Sequence, residues 1–370
     1  MKINVTKLGI VVAVGLALCK PAVADIYTAT SLQSSGSTAD SNAYAISGAY
    51  QVGQIGGAAA LWNGTALGLI NLNPTGADAS NAWAVSGNIQ AGYAHMSNSN
   101  QDEAGYWTGS AGSWYDLNPT DAIASYVYGV FNGMEVGSAS FGLVTQACLW
   151  NGTVASYTAL NANGANTSEA YGVHGSQIVG YVDNGSGQHA ALWNDTSSAY
   201  VDLNPYGADM SYANCTDGTY QAGTAVFSGT LNAAIWNGSS SSFVDLNPTG
   251  ADSSEVLGMN NGVAVGYIIA GGTKEAAMWS GGQFTYMDLS QYLLNLPNTY
   301  TNSWATGVDT VNGTIVVSGF ATNASTGLNE AVVWKQSGAV PEPSSIILIA
   351  IATSGLISLS LRRKRSTRLL

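Results

Sequence analysis

Short alternating runs of apolar and polar residues recur along most of the chain, and in each recurrence one run ends on tryptophan. These residues are Trp62, Trp107, Trp150, Trp193, Trp236, Trp279 and Trp334, spaced 45, 43, 43, 43, 43 and 55 residues apart. Three residues before each stands an alanine: Ala59, Ala104, Ala147, Ala190, Ala233, Ala276 and Ala331. A glycine ends a second apolar run, at Gly53, Gly92, Gly137, Gly180, Gly223, Gly266 and Gly319. A leucine in an Asp-Leu-Asn-Pro-like string marks a third landmark, at Leu72, Leu117, Leu160, Leu203, Leu246 and Leu289, with Leu32 as an earlier, degenerate copy. Period-two alternation over short runs predicts strands, and one landmark set repeating at a fixed interval predicts a repeat architecture.

Within one unit the pattern predicts four strands. In the fourth unit they are centred on Ala170-Tyr171-Gly172-Val173, Ile178-Val179-Gly180-Tyr181, Ala190-Ala191-Leu192-Trp193 and Tyr200-Val201-Asp202-Leu203. Between third and fourth strands, Asn63-Gly64, Asn151-Gly152 and Asn237-Gly238 read as hairpin turns, because both residues tolerate positive φ. The same strings match N-glycosylation acceptors, but their recurrence at one phase favours the turn. Proline in the following loop, as at Pro205, ends the ladder because it has no N–H to give.

Four strands in about 43 residues, seven times over, predict an all-β, seven-bladed β-propeller. A solenoid is the competing architecture and needs capping units, none of which is visible. The ends favour a ring. After Trp334 the fourth strand is missing, while a spare copy stands at 27–33, so the two ends are expected to complete one blade and leave no open edge.

The chain is poor in charge: 9% of its 370 residues, against about 25% in ordinary globular domains. Between residues 25 and 340 there are two basic residues, Lys274 and Lys335, against 21 acidic ones, hence a net charge of −19. Such a body repels phosphate backbones, which excludes nucleic acid as a partner. Eight of the ten basic residues lie instead at the two ends.

Residues 1–24 read as a secretory leader: Lys2 and Lys7, an apolar run over 8–18, then Ala22-Val23-Ala24, with cleavage expected after Ala24. The repeat body then covers 25–339. At the other end Pro341-Glu342-Pro343 precedes an uncharged segment, 346–361, and the cluster Arg362-Arg363-Lys364-Arg365, with 366–370 as a short tail. With Ser344 and Ser345 the segment is just long enough for a membrane-spanning helix, and the cluster is expected to stay cytoplasmic. A permanent single-span anchor is the plain alternative. This tripartite end, 340–365, resembles the PEP-CTERM sorting signal of Gram-negative bacteria, matched at Pro341, Glu342 and Pro343. The resemblance implies recognition by the membrane transpeptidase exosortase and a place at the cell surface or in the extracellular, biofilm-type matrix.

The repeat itself resembles the HAF family of bacterial extracellular repeats, named for a His-Ala-Phe string before Leu-Trp. His189-Ala190-Ala191-Leu192-Trp193 comes nearest; only this unit keeps the histidine, and none has the phenylalanine. That resemblance spans about 27–336, implies an extracellular repeat protein and carries no catalytic residue across.

Candidate chemistry is sparse. Tryptophan at one phase of every unit is read as core, while Trp83, Trp114 and Trp304 break the phase and are the candidates for exposed aromatics. Asp116, Asp202, Asp245 and Asp288 share one phase and Asp78, Asp209 and Asp252 another, which suits turn capping better than general acid–base catalysis. Calcium is a minor alternative for such loops, but no EF-hand or nonapeptide string is present. No cofactor is implied. His95, His174 and His189 occupy different phases, which speaks against a zinc site. Cys148 and Cys215 also differ in phase and are expected to stay unpaired. Four residues before each tryptophan stands a variable, mostly polar position: Ala58, Glu103, Gln146, His189, Asn232, Glu275 and Glu330. In a closed ring these form a circle, a candidate ligand rim or channel lining, against the plainer reading of a solvated strand start. The expectation is a non-enzymatic surface protein that binds polysaccharide; the alternative is a propeller enzyme, a polysaccharide lyase or glycoside hydrolase.

Overall fold

A computed structural model of the chain describes residues 27–337, apart from Ser35, 161–163 and 195–197. The leader, the Pro-Glu-Pro string, the apolar segment 346–361 and the basic cluster all lie outside the described residues. Among the described residues no helix is long and apolar enough to cross a membrane.

Seven antiparallel four-stranded sheets follow one another along the chain, over 41–71, 77–116, 124–159, 167–202, 210–245, 253–288 and 300–336, and are numbered here as blades 1 to 7. In blades 1 to 6 the strands pair in sequence order. Blade 7 contributes Tyr300–Val311, Thr314–Asn323 and Asn329–Gln336, and its fourth strand is Tyr27–Ser31. Tyr27 pairs with Gln336 and Ser31 with Val332, so the ring closes as the spare N-terminal copy predicts. Leu32 then donates its N–H to the Ala331 carbonyl at 2.7 Å, the bond that Leu203 makes to Ala190 at 2.8 Å.

The repeat tryptophans fill the spaces between blades, each no more than 1% exposed. Trp193 packs among Leu149, Leu160 and Ala170, and its indole N–H reaches the Leu160 carbonyl of the preceding unit at 3.1 Å. Trp279 does the same to Leu246 at 3.0 Å. The repeated alanine has a second task. Its backbone N–H donates to a buried serine hydroxyl on the first strand of the next blade, as Ala190 does to Ser211 at 2.9 Å. That serine donates in turn to Asn204 of the Asp-Leu-Asn-Pro string at 2.6 Å. The same alanine-to-serine bond joins Ala59 to Ser80, Ala104 to Ser125, Ala147 to Ser168, Ala233 to Ser254, Ala276 to Ser303 and Ala331 to Ser41, all at 2.9–3.0 Å. Seven interfaces therefore carry one identical clasp, which satisfies a buried backbone donor that would otherwise be costly.

One local expectation needs correction. The Asn-Gly pairs are not two-residue hairpins: from Trp62 the chain runs through a 3₁₀ turn, Ala66–Gly68, before the short fourth strand Ile70–Asn71. Only the glycines take positive φ (82° at Gly64, 70° at Gly152, 77° at Gly238). The reason is a side chain from the second strand: Gln51 Oε1 accepts the Gly64 N–H at 2.7 Å, and Gln221 that of Gly238 at 2.8 Å, holding the loop open.

Candidate functional site

The channel along the axis is walled by the first strand of every blade. Each of these strands carries a β-bulge at the same place, between Ala43 and Ala45 in blade 1 and between Ala170 and Gly172 in blade 4. The residue left unpaired is Tyr44, Trp83, Tyr128, Tyr171, Asn214, Leu257 or Thr306 in blades 1 to 7, and all seven line the channel. The repeated second-strand glycine permits this. A Cβ on Gly180 would stand 1.9 Å from the Glu169 carbonyl oxygen, and one on Gly137 1.8 Å from that of Tyr126, so the bulged strand folds inward over a position that only glycine can hold. The next residue is also small because the inner strands crowd together: a Cβ on Gly172 would lie 3.0 Å from Cys215 Cα.

The result is an uneven ring. Blades 1 to 4 present aromatic bulge residues and blades 5 to 7 do not. Trp83 stacks on Tyr128 (5.1 Å, 24°), and Tyr128 meets Tyr171 edge-on at 5.4 Å. Around them, at the mouth where the first strands begin, stand Tyr93, Tyr126, Tyr181 and Tyr212, linked by ring contacts of 4.8–5.9 Å. Across the mouth Trp304 stacks on Phe320 at 4.7 Å, and the Lys274 ammonium lies 4.4 Å above Tyr267 and 5.2 Å from Trp304. A cavity of about 470 Å³ opens here, lined by Trp83, Tyr128, Tyr171, Tyr212, Asn214, Glu255 and Leu257.

The polar groups of this mouth are fixed by their neighbours. Glu255 accepts from the Tyr267 hydroxyl at 2.8 Å and from Asn214 Nδ2 at 3.2 Å. Asp102 accepts from the Tyr126 hydroxyl at 2.6 Å and pairs with His95 Nδ1 at 2.8 Å, and this hydrogen bond raises the imidazole pKa. Burial raises the carboxyl of Glu169, which sits beside Tyr171. The same burial, with the Glu169 charge next, lifts the phenols of Tyr128 and Tyr171 far above the ordinary range, so both remain neutral donors.

The opposite end of the channel is tied together. The Gly48 N–H donates to Asp309 at 2.6 Å, Gly87 to Ser47 at 3.2 Å, Asn132 to Ser86 at 3.2 Å and Gly262 to Asp217 at 2.8 Å. His174 packs on Phe131, with ring centroids 4.2 Å apart. These contacts join first-strand hairpins of neighbouring blades.

The sequence-derived polar circle lies elsewhere. Glu103, Gln146, His189, Asn232, Glu275 and Glu330, with Ala58, are on third strands, two strands out from the axis, so as channel lining they are corrected to positions within single blades. His189 pairs with Asp202 and Asn232 with Asp245, both at 2.8 Å, while Gln146 donates to Tyr157 at 3.0 Å. Glu103 accepts from Ser99 at 2.7 Å. Burial, then the nearby Asp288, raises the Glu275 pKa. Glu330 is buried and accepts from Asn298, Tyr300 and Asn323. The repeated aspartates cap turns: Asp116, Asp202, Asp245 and Asp288 each accept the N–H two residues on, at 2.6–2.8 Å. Trp114 packs on Trp107 at 4.6 Å, whereas Trp83 and Trp304 are at the mouth. Cys148 and Cys215 are both free thiols. Among the described residues no three His, Cys, Asp or Glu side chains converge as metal ligands.

No protein-family model matches the chain, and no curated protein does. Solved structures do. TolB from Acinetobacter baumannii is 13% identical with a TM-score of 0.46, over 67% of this chain and 62% of that one. A structure from an analysis of two prolyl endopeptidases is 12% identical with a TM-score of 0.51, over 82% and 51%. A puromycin hydrolase is 10% identical with a TM-score of 0.51, over 72% and 47%. The chain thus spans about half to three fifths of the length of these proteins, and what it shares with the prolyl endopeptidase and the puromycin hydrolase is the β-propeller fold.

Proposed function

We propose that the protein is an exported, non-enzymatic β-propeller of the bacterial cell surface or extracellular matrix, and that it binds polysaccharide at the aromatic mouth of its channel. The observation that carries this reading is the Trp83–Tyr128–Tyr171 arc, open to a cavity and flanked by the acceptor Glu255, which Asn214 holds in place by a hydrogen bond of its own amide. Aromatic faces stack on the apolar faces of sugar rings, and oriented polar groups select hydroxyls, the usual composition of a small-molecule or glycan site. The leader at 1–24 and the tail at 340–365 support export and sorting. In this reading exosortase is the processing partner, acting through Pro341, Glu342 and Pro343 while 346–361 sits in the inner membrane.

The test uses the 25–340 fragment, which contains every strand of the closed ring. Its binding to a panel of bacterial polysaccharides is measured while new reducing or unsaturated ends are monitored. Binding without release supports the reading, and release of new ends replaces it with a lyase or glycoside hydrolase. Silence in both leaves a structural matrix filler. Cell fractionation of the full chain, with and without Pro341-Glu342-Pro343, tests the sorting half.

A further inference from the structure

We infer that the glycan taken at this mouth carries free amino groups, so that the site selects a cationic amino-sugar chain over its N-acetylated, neutral or anionic counterparts. The inference rests on the polysaccharide reading above and narrows it. Three features of the mouth support it independently of that reading's general argument. First, Glu255 faces the cavity, and among the described residues it forms no ion pair, its oxygens being held only by the neutral donors Tyr267 and Asn214. A carboxylate held in place with no cation of its own accepts a charge-assisted hydrogen bond without rearrangement. Second, the wall opposite is aromatic, and stacked rings present negative faces that attract a cation. Third, the molecule already uses its aromatic rings in this way: the Lys274 ammonium lies 4.4 Å over Tyr267, the same tyrosine that orients Glu255. A net charge of −19 over 25–340 adds a long-range field of the same sign, which draws in cationic chains and repels uronates.

The geometry assigns each group a part. A cavity-lining ring of the Trp83–Tyr128–Tyr171 arc carries one sugar ring, and Glu255 receives the ammonium. An N-acetyl group in place of the amine removes the charge and brings a bulkier acyl group against Glu255.

The experiment titrates the 25–340 fragment calorimetrically with a glucosamine hexamer at a pH where its amines are protonated. Parallel titrations use the N-acetylated hexamer, a neutral glucan hexamer and an oligolysine peptide. The amine-bearing hexamer is expected to bind about tenfold or more tightly than the acetylated one, the usual worth of a hydrogen bond to a charged group. Glu255→Gln, a near-isosteric change, is expected to bring the two within about twofold while the circular dichroism stays unchanged. Lys274→Gln removes the resident cation and is expected to strengthen only the amine-bearing ligand. Equal binding of all three sugars overturns the inference and leaves the polysaccharide reading standing. Binding of oligolysine with no sugar bound, or the absence of any binding, overturns the inference, and the polysaccharide reading is then decided by the polysaccharide panel.

Discussion

Ser41 and Ala331 are 290 residues apart, and the Ser41 hydroxyl accepts the Ala331 N–H at 2.9 Å, the same bond that fastens every other pair of neighbouring blades. The interface formed by the two ends of the chain is therefore built like the six formed by successive units. What is specific to it is the strand Tyr27–Ser31, which must come from the far end of the sequence. Removing residues 25–34 is expected to lower the melting temperature and make blade 7 the first region to exchange its amide hydrogens. Ser41→Ala, which strips a buried N–H of its acceptor, should cost about 1–3 kcal/mol. An unchanged melting transition in the truncated chain would falsify closure by this strand.

Trp193→Ala empties a space between blades 3 and 4 and removes the indole bond to Leu160. Loss of so large a core side chain is expected to destabilise by about 3–5 kcal/mol. Denaturant unfolding of the 25–340 fragment measures it.

Gly180→Ala places a methyl group where the Glu169 carbonyl oxygen already lies. The bulge must flatten or the strands must part, at a cost of about 1–3 kcal/mol. Near-ultraviolet circular dichroism should change with it, because Tyr171 then loses its place in the aromatic arc. Gly175→Ala, at a hairpin turn away from the bulge, is the control for mere loss of glycine, since only its positive φ of 62° is strained.

Glu135 stands where three other blades place glutamine, at Gln51, Gln90 and Gln221. It is fully buried; one oxygen accepts the Gly152 N–H at 2.9 Å and the other has no partner. Burial raises its pKa, so the folded state holds this proton more tightly than the unfolded one. Its contribution to stability is complete at acid pH and is lost as pH rises from the ordinary glutamate range, about 4.3, through the raised value. Glu135→Gln is expected to flatten that part of the stability profile and to gain about 1 kcal/mol at neutral pH, because the amide can donate as Gln51 does to Ala49. Asp116, Glu169 and Glu275 are also raised by burial, so the difference between variant and parent, followed from pH 4 upward, is the informative quantity.

Trp83→Ala should abolish or greatly weaken glycan binding at a smaller cost in stability than Trp193→Ala, since its ring is only half-buried at the mouth although it touches Tyr126 and Tyr128 of the next blade. Glu275→Gln and His189→Ala, on third strands, are expected to leave binding unchanged. Loss of binding in the third-strand variants alone would return the site to the polar circle.

The fold was legible in the sequence because it is periodic: one buried tryptophan, one alanine and one glycine per unit are demanded seven times by the same packing. The missing fourth strand after Trp334 and the early Leu32 were enough to locate the closure. The site was not legible in the same way, because a ligand surface varies where the framework repeats. The first-strand position reads Tyr44, Trp83, Tyr128, Tyr171, Asn214, Leu257, Thr306 and shows no consensus to notice. Its signal was indirect. A glycine fixed in every second strand implies something pressing on it, and that something is the bulge that turns these side chains into the channel. The polar circle drew attention instead because variability beside a fixed alanine looks like recognition. In the structure those residues lie outside the first two strands of their blades, and five of them have hydrogen-bonding partners within their own sheet or its flanking loop.

The pairing of Tyr27–Ser31 with Asn329–Gln336 also sets an order of events. The first strand to be synthesised cannot find its partner until the last has been made, while blades 1 to 6 need only neighbours a few dozen residues away. Local contacts form fast and distant ones slowly. The ring therefore spends its assembly as an open arc, with one unpaired strand at its head and a three-stranded sheet at its tail. Until the two meet, the interface between blades 7 and 1 is open, and whatever arrests the chain before residue 336 leaves two adhesive edges of matching register on every molecule.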